Sequence, residues 1–191
     1  MHRPVLTSAP AVNAVASEDA CAHLRVDIST EDALIRALVQ AATAHLDGYS
    51  GVLGRCLVSQ TWLQKFDAWG SILRLPFPDV SSVTVTYTDT SDATQTVSSA
   101  LYDIFEDERG GYVRFNDDFT APSIGPDVGG ISVSITAGYG ATADDVPMPL
   151  RHAILLHTAM LYENREAVGP AMQELPLAHG ALIAPYRRIG L

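Results

Sequence analysis

ISVSITAGYGATADDVPMPLRHAILLHTAML, residues 131–161, holds two periodicities within one stretch. From Ile131 to Ala137 apolar residues alternate with Ser132, Ser134 and Thr136. That is the period-two pattern of a half-buried strand. Gly138-Tyr139-Gly140 closes the strand. Beyond Pro147 and Pro149, Leu150, Ile154, His157 and Leu161 recur on one side of a helix, at the period of an amphipathic surface. One chain therefore switches from sheet to helix within a few residues, and the fold class is α+β.

The same two patterns extend upstream. Ser29 with Asp32 three residues on resembles a capping box, and Ile35, Leu38, Val39, Ala42, Leu46 and Tyr49 then share a helical face. Gly48 and Gly51 end that helix. Ser17, followed by Glu18 and Asp19, predicts the start of a shorter helix that ends near Val26, since a hydroxyl cap and acids both suit a helix N-terminus. Between the long helices the period is two. Strands are expected over Leu57–Phe66, Ser71–Leu75 and Val80–Tyr87, the last turning at Thr88–Thr94 into Gln95–Val97. Leu101–Phe105 and Gly111–Phe115 read as a hairpin.

The predicted organisation is a small helical bundle, with long helices near 30–48 and 149–166 and an antiparallel β-rich block inserted at about 57–138. Residues 1–16, with Pro4 and Pro10, read as an extended arm, loose or lying along a neighbour. Residues 17–188 read as a single domain, and about 174–191 as a C-terminal helix and tail. Gly169 and Pro170 are expected to stop the helix before it.

The 191 residues carry a net charge of −10, and 47% are hydrophobic, enough for a core. Residues 103–145 alone hold nine acids and two bases. Such a balance argues against a protein that grips nucleic acid through phosphates, which takes a basic footprint. No apolar run approaches the length of a membrane span, and no signal peptide is expected. Cys21 and Cys56 have no CxxC partner, so neither zinc nor redox chemistry is expected of them.

Chemical motifs give little. His152 and His157 are five apart, about 140° around a helix, whereas zinc pairs want three or four. Helix-surface or interface histidines are the expectation. The acids Asp103, Glu106, Asp107, Glu108, Asp117 and Asp118 fail the EF-hand pattern, because Glu108 stands where the loop requires glycine. They read as solvated turns. No GxSxG, SxxK or phosphate-binding glycine loop occurs. No catalytic, cofactor-binding or metal-binding residue is assigned. Trp62, Trp69, Phe66 and Phe77 are expected to pack across the β-block. The rival reading makes them an exposed platform on a non-enzymatic binding module for carbohydrate, a host protein or a tail-fibre partner. Tyr186, Arg187, Arg188 and Leu191 are the candidate partner-interface residues, since Tyr and Arg are favoured anchors.

An ordered series of motifs points further. It runs from Ser29-Thr-Glu-Asp-Ala-Leu-Ile35 and Leu46-Asp-Gly-Tyr49 through Gln60-Thr-Trp62, Leu73-Arg-Leu-Pro76 with Pro78, and Val83-Thr-Val-Thr-Tyr87. It continues with Ala137-Gly-Tyr-Gly140, Val146-Pro147, Leu150-Arg-His-Ala-Ile-Leu-Leu and Leu161-Tyr-Glu-Asn-Arg165. Together these resemble the head–tail connector (adaptor) proteins of tailed phages and phage-derived gene transfer agents, over roughly residues 5–188. The resemblance implies a structural protein that is made in the bacterial cytoplasm and ends in the particle at the head–tail junction. It implies a ring of neighbouring copies, commonly twelve, beneath the portal protein. Such a ring extends the DNA channel, lets DNA pass without specific binding, and docks a downstream stopper or tail connector protein. The C-terminal segment of such proteins typically engages the portal. One departure is the turn Asp89-Thr-Ser-Asp92, where an Asp-Gly type hairpin would be expected.

Overall fold

The computed structural model describes residues 1–164 and 177–188, apart from the side chains of residues 28–30. Two compact units emerge. Of the described residues, one comprises 1–11 and 59–139, and the other 12–58, 140–164 and 177–188.

The first unit is built of strands: β1 (Val5–Ser8), β2 (Gln60–Phe66), β3 (Ile72–Arg74), β4 (Val80–Thr88), β5 (Thr94–Thr96), β6 (Tyr102–Asp107), β7 (Gly110–Phe115) and β8 (Ile131–Ala137). They form a five-stranded sheet in the order β1-β2-β8-β4-β5 and a three-stranded sheet in the order β3-β7-β6. Every pairing is antiparallel. The expected hairpin is β6–β7, with Tyr102 opposite Phe115. β8 lies in the middle of the larger sheet, where Ile135 is in register with Trp62 on one side and Val83 on the other. Its alternation is fully expressed. Ile131, Val133, Ile135 and Ala137 are all 0% exposed, and the residues between them are half-buried. Phe77, Val85, Leu73 and Val113 are buried in the same unit.

Residues 1–16 do not make one free arm. Val5–Ser8 pair with β2 as an edge strand, and Val5 lies opposite Leu63. His2 is tied down as well: its backbone N–H donates to Lys65 O at 3.0 Å, and its carbonyl accepts from Gln64 Nε2. Hydrogen bonds and not buried side chains order this stretch, because all four β1 side chains are exposed and Thr7 Oγ1 adds a bond to Thr61 O at 3.0 Å. The turn after β4 closes without glycine. Asp89 Oδ1 accepts from the N–H groups of Ser91 and Ala93, and Asp92 takes the left-handed conformation at φ 62°. Asp is among the few residues other than glycine that tolerate that region.

The second unit is helical: α1 (Ser17–Leu24), α2 (Ile28–Leu46), α3 (Met148–Glu163) and α4 (Leu177–Ile183). The buried face of α2 is Ile35, Val39, Ala42 and Leu46, a spacing of four, three and four. Tyr49, expected on that face, follows the end of the helix and is exposed. Leu150, Ala153, Ile154 and His157 form the matching face of α3. α1 packs on both α2 and α3, and α4 packs on α3. α1 starts differently from expectation, since Ala16 occupies the N-cap with no side-chain bond and Ser17 is already helical. α2 likewise begins at Ile28, one residue before the expected cap at Ser29.

α3 begins at a built entrance. Pro147 is its N-cap and Pro149 falls in the first turn, where a missing N–H costs nothing. Before it, the short 3₁₀ turn Ala143–Asp145 is closed by Asp145, which accepts from the Thr142 N–H and Oγ1 at 2.8 Å each. These bonds hold the Asp145 carboxyl below the usual carboxylate range. Arg151 then bridges Asp144 at 2.8 Å and Asp19 of α1 at 3.6 Å.

Candidate assembly surfaces

The C-terminal segment is where sequence placed a partner contact, so its geometry comes first. α4 runs into the 3₁₀ turn Ala184–Tyr186, which Pro185 favours by fixing its own backbone angle. Arg188 then returns to the loop after α2. Its backbone N–H donates to Leu53 O at 3.0 Å, and its Cβ lies 3.5 Å from where a side chain on Gly54 would begin. Gly54 has φ 65°, a left-handed conformation that suits glycine. The loop itself is solid, with Leu53, Cys56, Leu57 and Val58 at most 2% exposed. Asp47 Oδ1 accepts from the Leu57 N–H at 2.7 Å. The segment is therefore strapped to its own unit through Arg188, while Arg187 points outward and Tyr186 is half-buried. Leu191 lies outside the described residues, as do Arg165, Gly169, Pro170, Leu175 and Pro176.

The acids of the middle segment are distributed, not convergent. Asp107 pairs with Arg74 at 2.7 Å, and Arg74 also lies 4.8 Å over the Tyr112 ring. That pairing holds the Asp107 carboxyl low. Glu106 accepts from the Asp79 N–H. Asp103, Glu108, Asp117 and Asp118 are exposed. An open groove of about 690 Å³ beside them is lined by Trp69, Arg74, Asp107, Tyr112, Arg114 and Phe119, among others. No nucleophile stands beside a base in it. Among the described residues, no group of three potential ligands is placed to hold a metal ion.

The aromatic residues pack inside the β unit. Trp62 lies 5.0 Å from Phe77. Trp69 meets Tyr87, Phe115 and Phe119 at 5.3–5.7 Å, mostly edge to face, and donates its Nε1–H to Pro122 O at 2.9 Å. Both indoles are half-buried, so they do not form the flat exposed platform of the rival reading.

Some residues that sequence did not connect are brought together. Gln60 and Gln64 are buried on β2, and Gln64 Nε2 bonds the carbonyls of His2 and Lys65. His45, His157 and His179, on three different helices, meet edge to face or tilted against one another. Of the surface and interface alternatives His157 takes the interface one, being only 8% exposed, whereas His152 packs edge-on against His23.

Comparison with solved structures places this architecture. A chain in the virion of a native gene transfer agent particle matches with a TM-score of 0.79 at 24% identity, over 98% of this chain and 96% of that one. The fold is that of a gene transfer agent particle chain. A chain in the neck of an empty gene transfer agent particle, solved with C6 symmetry, matches at 0.80 and 23% identity over 98% and 96%. One in the neck of a native gene transfer agent particle, solved with C12 symmetry, matches at 0.69 and 24% over 97% and 96%. The gene transfer agent fold thus covers both units. No protein-family model and no curated protein sequence matches the chain. Among the described residues no helix is long and apolar enough to cross a membrane.

Proposed function

We propose that the chain is a non-enzymatic structural component of a gene transfer agent or phage particle, at the head–tail junction. It acts as an adaptor that assembles as a ring of copies, twelve by preference, beneath the portal protein. The ring extends the DNA channel and docks the next stopper or tail connector. The observation that carries this reading is the fold match along 98% of the chain to a chain from a gene transfer agent neck. Correspondence over both the helical and the β unit is more than a shared helical bundle would give. A ring further requires two different complementary faces on each copy, and the chain offers exposed apolar side chains on both units, among them Val128 at 79% and Met148 at 67%.

Tyr186 and Arg187 are the described residues proposed to meet the portal, with Arg188 as the anchor that fixes their direction. DNA is a passenger in this reading. All nine acids in residues 103–145 are exposed, a surface that repels phosphate and gives no grip. The test is electron microscopy of particles made with and without the chain. The expected result is filled heads lacking tails when it is missing and a twelve-fold ring under the portal when it is present. Complete tails on particles without the chain would overturn the proposal. The double variant Tyr186→Ala, Arg187→Glu is expected to lower ring incorporation about tenfold, the effect of losing ~1.4 kcal/mol of interface energy.

A further inference from the structure

Three imidazoles from distant parts of the chain meet inside the helical unit: His45 in the last turn of α2, His157 on α3 and His179 on α4. Ring centroids are 5.1 Å apart for His45 and His157, 5.6 Å for His157 and His179, and 6.3 Å for His45 and His179. His157 is 8% exposed and His179 only 2%. Nδ1 of His157 and Nε2 of His179 are buried with no hydrogen-bond partner. A buried polar atom without a partner is rare and calls for an explanation. We propose that His45, His157 and His179 form a proton-operated latch, which holds α4 on α3 while the rings are neutral and releases it when the solution turns acidic.

α4 is the part free to move because its docking is so narrow. The helix is seven residues long, and His179 is its one buried residue. Gly180, in its middle, weakens it further, and a side chain there would meet nothing within 4 Å. Losing the buried position of His179 would therefore lift the helix off α3, leaving the segment tethered through the Arg188 N–H to Leu53 O.

Among the described residues no anion stands ready to neutralise a protonated ring. Burial is the main influence on both His157 and His179, followed for His157 by the charges of His45 and His179, and for His179 by that of His45. The other ionisable groups of the packed elements are occupied or remote. On α1, Glu18 takes the Ser17 hydroxyl, Asp19 pairs with Arg151, and His23 packs on His152. On α2, Asp32 pairs with Arg36 and Glu31 accepts from the Tyr162 hydroxyl. Asp47 beyond it takes the Leu57 N–H, and Glu163 at the end of α3 is exposed. Among the described residues, the loop after Asp47 and the tail add the positive groups Arg55, Arg187 and Arg188.

Burial pushes His157 down to about 4 from an ordinary 6.5 and lowers His179 in the same direction. A group lowered by burial binds fewer protons docked than released, so docking is fully favoured above about pH 6.5 and weakens as pH falls toward 4. Between pH 7 and pH 4 protonation of His157 alone shifts the docked-to-released ratio by about 100-fold.

Amide hydrogen exchange on the full-length protein, corrected for the intrinsic pH dependence of exchange, tests this at pH 7, 5.5 and 4.5. The expected result is that protection of the α4 amides falls at least about tenfold from pH 7 to 4.5. The β8 amides should stay protected. His157→Phe, which keeps a flat ring but cannot take a proton, should lose clearly less α4 protection across the same range, with His179 left to titrate. Should that variant lose α4 at pH 7 as well, the His157 ring titration by NMR in the native chain decides instead, with a midpoint below 5 expected. Unchanged α4 protection in the native chain, equal loss at β8, an undiminished pH-dependent loss in His157→Phe, or a His157 midpoint near 6.5 would each overturn the latch.

Discussion

Replacing Ile135 by alanine removes three carbons from the middle of β8, where the residue is 0% exposed and flanked by Trp62 and Val83 in register. At about 0.8 kcal/mol per buried carbon the transfer loss alone is ~2.4 kcal/mol. The cavity adds to it, because strands bonded on both sides of β8 cannot collapse inward, so ~3–4 kcal/mol is expected within the ~2–5 range of such changes. Ser134→Ala, one residue away on the opposite face and half-buried, should stay within ~0.5 kcal/mol. The assay is urea unfolding followed by tryptophan emission. The chain has two tryptophans, Trp62 and Trp69, and both belong to the β unit, so the signal reports on the sheet that carries the substitution. With a slope near 1.5–2 kcal/mol/M, the Ile135→Ala midpoint should fall by about 2 M. A fall below about 0.5 M, or an equal fall for Ser134→Ala, would refute the assignment of the two faces.

Two further outcomes are expected. Gly180→Ala meets open space and should strengthen α4 by ~0.8–1 kcal/mol, read as roughly fivefold slower exchange of its amides at pH 7; unchanged or faster exchange would contradict the open site. Asp145 is held low by Thr142, so the turn before α3 should be intact above the ordinary carboxylate value of about 3.9 and open only as pH falls through a lower one. NMR titration of the Thr142 amide should show that midpoint, and a value at or above about 3.9 would refute the cap.

Much of the architecture was legible because period and burial agree. β8 runs from Ile131 to Ala137 as its alternation demands, and the buried faces of α2 and α3 follow their apolar spacing. β1 was not legible. Its four side chains are all exposed, so no contrast between faces marks Val5–Ser8, and hydrogen bonding with β2 is what orders it. The histidine cluster escaped for a different reason. Ligand-like spacing is sought within one helix, and His152 with His157 fails there, whereas His45, His157 and His179 come from three helices. Their burial was the available signal, and His157 on the apolar side of α3 carried it. The tail was half legible. Tyr186 and Arg187 stand out by type, but the strap from Arg188 to Leu53 is a backbone bond, which no side-chain pattern reveals.

The register of β2 with β8 has a consequence for how the chain is put together. Gln60 lies opposite Ala137, so the stretch that separates α2 from α3 in sequence leaves and returns at neighbouring positions, about 5 Å apart for an antiparallel pair. Joining two halves of a helical unit across some eighty unstructured residues carries a closure entropy that grows as the logarithm of loop length. Once β2 has zipped onto β8 that span shrinks to the width of a hairpin, and most of the entropic penalty is already met. The β unit thus behaves as a cassette, one that can lengthen, shorten or be exchanged over time while the two helical segments it separates remain within reach of each other.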